Sequence, residues 1–303
     1  MNKEDFELLS PAQDFTCLKT AIQNGANSVY FGGPSFNARA SATNFTKETM
    51  KQAIEYAKLR NVKTHLTLNI LTKNEEIQNA IDLASYAISC GIDAIIIQDL
   101  GLAKLLMKEF PNFPFHASTQ MTVHNLEGVL ELAKLGFKRA VLAREVPINE
   151  IEYICQNSPI EIEVFIHGAL CVSYSGQCLF SSMVGARSGN RGKCAGPCRL
   201  PYKLIDSNKH IVDSGYILSP KDLCGINFIP RLINAGVKCF KIEGRLKPSQ
   251  YVGIVTKIYR KYIDMFFEFP EKSIELDEND KLDLLQAFNR SRIFRWSSFY
   301  KSK

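Results

Sequence analysis

Residues 94–110, AIIIQDLGLAKLLMKEF, hold a short apolar run that stops at the polar pair Gln98-Asp99 and passes directly into an amphipathic helical pattern. A strand that is apolar on both faces must be covered on both, as happens in a parallel sheet flanked by helices. Upstream, residues 6–12 (FELLSPA), 28–33 (SVYFGG) and 63–70 (KTHLTLNI) read as strands. Helical segments separate them. Residues 14–24 open on the acidic cap Asp14 and close at Gly25, and residues 46–60 open on Thr46 and place Met50, Ala53, Ile54 and Ala57 on one face. Downstream the beat continues with strands over 115–121, 140–144 and 161–167. Residues 202–217 interrupt it as a β-hairpin with Ser207-Asn208 near its tip, and 237–243 (VKCFKIE) supply an eighth strand before a long helix over 248–267.

Eight β-α beats with short connections predict an α/β fold, a (β/α)8 TIM-like barrel, with a doubly wound open sheet as the runner-up. The barrel is expected over about residues 1–268, with a Cys-rich loop and hairpin inserted after strand 7 at about 168–220, and a short tail over 269–303. Chemistry in such barrels gathers where strands end. The polar residues there are Ser10, Asn69, Gln98-Asp99, Gln120, Arg144, His167 and Glu243 to Arg245.

Directly after the seventh strand come Cys171, Cys178, Cys194 and Cys198, spaced C-x6-C-x15-C-x3-C. A disulfide framework belongs to small secreted domains and fits poorly a 303-residue chain that starts MNKEDFELLS without a signal-peptide pattern. Zinc sites favour two short knuckles, and only Cys194 and Cys198 approach that spacing. An iron–sulfur cluster tolerates longer, less regular gaps, while four ordinary thiols remain the bland reading. Composition adds bounds: net charge is +6, nine cysteines suggest a reducing, cytoplasmic setting, and the absence of a long apolar run argues against a membrane span.

The run EVFIHGALCVSYSGQCLFS resembles the signature of the collagenase-like peptidase family U-thirty-two. ELLSPA, NGANSVYFGG, SGNRGKCAGPCR, SPKDLC and KIEGR resemble its other blocks, in order, over about residues 6–268. SGNRGKCAGPCRLPY is most similar to the branch that hydroxylates cytidine in 23S ribosomal RNA. The resemblance implies a 4Fe-4S cluster held by Cys171, Cys178, Cys194 and Cys198, with zinc as the alternative metal and Cys224 and Cys239 as reserve ligands. It also implies oxygen-independent hydroxylation of a base in rRNA or tRNA, with a dicarboxylate such as prephenate as oxygen donor.

On that reading His167, Glu243 and Arg245 are the candidate catalytic residues, and Arg144, Arg187, Arg191 and Gln120 the candidate substrate contacts. Each has a plainer reading: a satisfied strand-end histidine, an ion pair closing the barrel, solvated basic loops. Proteolysis, the activity in the family's name, is the alternative; it would need Cys171 free and His167 as its base, whereas a thiolate on iron is not a nucleophile. Finally, residues 290–303 (RSRIFRWSSFYKSK) depart from the family pattern; they read either as an RNA-binding tail or as a truncated end, with a partner protein supplying missing domains.

Overall fold

The computed structural model describes residues 3–271 and 274–288. The basic, aromatic stretch at 290–303 lies outside the described residues. Eight parallel strands form the barrel: β1 (Glu7–Pro11), β2 (Ser28–Gly32), β3 (Lys63–Leu68), β4 (Ala94–Ile97), β5 (Phe115–Ala117), β6 (Arg139–Val141), β7 (Glu161–Gly168) and, after three short strands introduced below, β11 (Cys239–Ile242). Each pairs with the next, β6 pairs with β7, β7 with β11 and β11 with β1, so the sheet closes. Closure excludes the open doubly wound sheet.

Between these strands run α1 (Phe15–Gln23), α2 (Lys47–Lys58), α3 (Ile77–Cys90), α4 (Leu100–Glu109), α5 (Leu126–Leu135) and α6 (Ile148–Asn157). Asp14 and Thr46 cap α1 and α2 by accepting from the amides of Cys17 and Thr49. The predicted face of α2, Met50, Ala53, Ile54 and Ala57, is fully buried against the sheet. Ile95 and Ile97 join the outer core while Ile96 turns inward, and burying each contributes about 1.5–3 kcal/mol.

After β7 the chain leaves the barrel for a Cys-rich loop containing the short α7 (Phe180–Gly185), then the antiparallel hairpin β8 (Tyr202–Ile205) and β9 (Ile211–Gly215). It returns through β10 (Leu223–Cys224), a two-residue strand antiparallel to β7 that no sequence pattern had marked, and α8 (Ile229–Ala235). The long α9 (Ser249–Glu268) seals the outside, its Tyr259 hydroxyl donating to the Ile166 carbonyl and accepting from the Gly225 amide. A final helix, α10 (Glu278–Ala287), packs on α9. No helix among the described residues is long and apolar enough to cross a membrane.

The barrel interior is unusually polar. Alternation aims Glu7, Lys63, His65, His116, Arg139, Glu161, Glu163 and Lys241 at the axis near the strand starts. Arg139 reaches Glu7 at 2.9 Å, Glu161 at 2.6 Å and Glu163 at 3.3 Å, Lys241 reaches Glu163 at 2.7 Å, and Lys63 reaches Glu7 at 2.7 Å. Burial disfavours ionised Glu7 and Glu163, but these cations outweigh it and hold both carboxyls below the ordinary range. His65 and His116 stack edge to face between them, both kept neutral by burial, His65 with its pKa lowered to about 4.

Candidate active site

The opposite, strand-end rim carries a different group. Glu243 follows β11 directly and accepts from Arg39 at 3.0 Å and Arg144 at 3.1 Å. Burial would raise its pKa; the two guanidinium groups overrule that and pull the carboxyl down to about 2. Arg144 lies over the Phe165 ring at 4.2 Å and donates to the Ala169 carbonyl. Arg39, in the irregular segment after β2, is held charged chiefly by Glu243, with the Cys194 thiol among the groups acting on it.

Arg245 does not pair with Glu243. Its buried guanidinium donates to the neutral oxygens of Thr67, Asn37 and Asn44, and burial lowers its pKa to about 10. Among the described residues no carboxylate lies within ion-pair distance of it. Several buried polar atoms at this rim lack a hydrogen-bond partner in the protein: Nε of Arg144 and Arg245, and the side-chain oxygens of Gln98 and Gln120. Unsatisfied buried groups are costly, and here donors and acceptors are left open around one mouth.

The Cys-rich loop is welded to that mouth. Gly176 adopts φ +77, and a Cβ there would lie 2.1 Å from the Gln120 carbonyl oxygen; Gly192, φ +73, would place one 2.3 Å from that of Asn37. Glu145 accepts from the amide and hydroxyl of Ser175, and Arg199 binds the Ser219 hydroxyl and the carbonyls of Leu170 and Pro220. Arg191 is spent on Glu76 at 2.7 Å and the Leu71 carbonyl, and Arg187 donates to the Lys193 carbonyl, so both predicted substrate contacts serve as loop anchors in this state.

All nine cysteines are free. Burial raises the pKa of the Cys198 thiol, Arg199 opposes the rise, and Cys171, Cys194 and Cys178 each add to it. Cys171, Cys178 and Cys194 are thus near enough to Cys198 to act on it, and Gly189 lies close to the Cys194 side chain and the Cys178 backbone. Among the described residues, no three His, Cys, Asp or Glu side chains converge as the ligands of a single metal ion would. Cys224 and Cys239 are buried elsewhere, Cys224 beside Tyr259 and Cys239 inside the barrel, so neither joins the loop.

His167 stands apart. The β7–β11 register shifts between Lys241 and Ile242, and beyond this irregularity the His167 ring packs against Tyr251 and Tyr259 of α9, its Nδ1 3.2 Å from the Tyr259 hydroxyl. Burial lowers its pKa to about 3. No motif or periodicity marks Arg39, Asn37 or Asn44, which occupy an irregular segment after β2. Only their nearness to NGANSVYFGG hinted at a role.

The chain is 41% identical to the 23S rRNA 5-hydroxycytidine C2501 synthase of Escherichia coli over 86% of this chain and 40% of that protein. It is 36% identical to tRNA hydroxylation protein P1 of Bacillus subtilis over 93% of this chain and 70% of the relative. A protein named collagenase from Porphyromonas gingivalis is 35% identical over 99% of this chain and 74% of its own length. Residues 13–303 match Peptidase family U32, and the chain belongs to that family.

Proposed function

We propose that the chain is an RNA-modifying enzyme that hydroxylates a nucleobase of rRNA or tRNA without molecular oxygen. Support comes from the relatives named for rRNA and tRNA hydroxylation and, above all, from one observation: Arg144 and Arg245 keep buried, unpartnered Nε donors at the barrel mouth, onto which the cysteine loop packs through Gly176 and Gly192. Cys171, Cys178, Cys194 and Cys198 would hold a 4Fe-4S cluster. Their all-thiol donor set suits it. When bound, such a cluster supplies electrons or a Lewis-acidic iron.

Arg39, Arg144 and Arg245 would bind the carboxylates of a prephenate-type donor, because planar guanidinium forks match carboxylates and buried cations favour an anionic guest. Gln98 and Gln120 offer carbonyl oxygens that orient a hydroxyl or an exocyclic amine. Glu243, ionised at neutral pH, is a weak base with such a low pKa; its part is to hold Arg39 and Arg144 in place until substrate arrives. His167, packed on α9, is a positioning residue at most.

Proteolysis finds little support at the residues it would need. His167 faces the α9 tyrosines, and the Ser175 hydroxyl donates to one oxygen of Glu145 while His124 and the Ser175 amide meet the other, so no histidine is bonded to the serine hydroxyl among the described residues. Mass spectrometry of ribosomal and transfer RNA from cells lacking this chain tests the proposal. A hydroxylated pyrimidine should vanish and return on complementation with wild type but not with Cys194→Ser. An unchanged RNA profile together with gelatin cleavage by the purified protein would reverse it.

A further inference from the structure

Residues 168–221 contain seven Lys and Arg against two Asp, a net +5 out of the chain's +6. The rest of the molecule is almost neutral. Within this span the hairpin of β8 and β9 stands off the barrel with nearly every residue exposed on both faces. A two-stranded ribbon is marginal in water by itself, and Leu204, Ile205, Ile211 and Val212 are each more than half exposed. Its two acids are occupied locally: Asp206 accepts from the amides of Asn208 and His210, and Asp213 from that of Ser214. Lys203 and Lys209 form no ion pair among the described residues.

The base of the hairpin joins the cysteine loop. The Tyr202 hydroxyl donates to the Pro197 carbonyl, and the Tyr202 ring lies 6.2 Å from that of Phe180. Tyr174, within the cysteine loop and edge-on to His124, and Tyr216, directly after β9, are 65% and 67% exposed. Unneutralised lysines interleaved with exposed aromatic and aliphatic side chains suit a strand that brings phosphates and flat bases together. A protein partner would be served by the apolar residues but not by so concentrated a positive charge.

We propose that the hairpin and the adjoining cysteine loop form a docking arm for an unpaired stretch of RNA, its phosphates on Lys203 and Lys209 and its bases on Tyr174 and Tyr216. This rests on the RNA-modifying reading above and adds where the RNA lies. The test uses fluorescence anisotropy of the whole chain with a labelled RNA hairpin carrying a pyrimidine loop, titrated over a range of salt, with hydroxylation of the same RNA followed by mass spectrometry. Lys203→Glu/Lys209→Glu should bind about ten-fold or more weakly near 100 mM salt, with the salt slope reduced by about 1.4 for two lost phosphate contacts. Lys203→Gln/Lys209→Gln should show the same loss in smaller measure. Lys108→Glu/Lys134→Glu, reversing two charges in the last turns of α4 and α5, should stay within about two-fold of wild type.

Unchanged affinity in the hairpin variants, or an equal loss in the α4/α5 control, overturns the arm and leaves its apolar face to a protein partner. The two readings fail separately. Wild type that binds RNA through the arm but leaves it unmodified removes the reaction alone, and wild type that modifies RNA while Lys203→Glu/Lys209→Glu binds normally removes the arm alone.

Discussion

Where the strands begin, Glu7, Glu161 and Glu163 face Lys63, Arg139 and Lys241, and their charges cancel. Where the strands finish, Arg39 and Arg144 hold the carboxylate of Glu243 while Arg245 binds only neutral oxygens, and positive charge is left over. Both groups have buried members, Glu7, Arg139, Glu163 and Lys241 at one end and Arg245 at the other, so burial alone does not separate scaffold from site. Balance does: a matched network completes the fold by itself, whereas an unmatched one is costly until a ligand of opposite charge arrives.

The contrast breaks most visibly at Arg139. Arg139→Leu leaves Glu7 and Glu163 buried without their common partner and should cost about 3–5 kcal/mol in urea unfolding. A loss below about 1 kcal/mol would mean the lower network is not a matched unit. Arg245→Gln, at the mouth, removes no ion pair. It should lower base hydroxylation by about a hundred-fold while costing less than about 2 kcal/mol of stability. The reverse pattern, a large stability loss with activity retained, would make Arg245 scaffold.

Acid acts on the buried histidines and on the buried carboxylates in different pH windows. The pKa of His65 is lowered on folding from 6.5 to about 4, so the unfolded chain binds more protons in that range and stability falls as pH drops from 6.5 towards 4. His167, lowered to about 3, adds the same trend over a wider span. Glu243, lowered from 4.5 to about 2, gives stability that is present above 4.5 and lost as pH falls towards 2. His65→Gln should therefore flatten the stability curve between pH 6.5 and 4 by up to about 1.4 kcal/mol per pH unit, leaving the lower window intact. An unaltered slope would show that His65 is already charged in the fold.

The barrel was legible because apolar runs such as AIIIQD and capped helices such as that after Thr46 repeat at barrel spacing. Its polar interior was not. In EIEVFIH and KTHLTL, charged and apolar residues alternate as they would on a solvent-facing strand, and only closure of the sheet turns that face inward. The cysteine spacing pointed to the loop. It could not show that Arg191 is committed to Glu76, or that an irregularity in β7 aims His167 at α9, since both depend on contacts distant in the chain. Glu243 and Arg245 were found as strand-end residues, yet their partners, Arg39 and the Asn37–Asn44 pair, came from a segment without pattern.

The proposed chemistry depends most on what the four loop thiols hold. Anaerobic purification of the chain, followed by iron and acid-labile sulfide counting, measures it directly. A brown protein with close to four of each per chain is expected, with loss of both on replacing Cys171, Cys178, Cys194 and Cys198 by serine and the barrel still folded. A colourless wild-type protein with one zinc or no metal after anaerobic handling would contradict it.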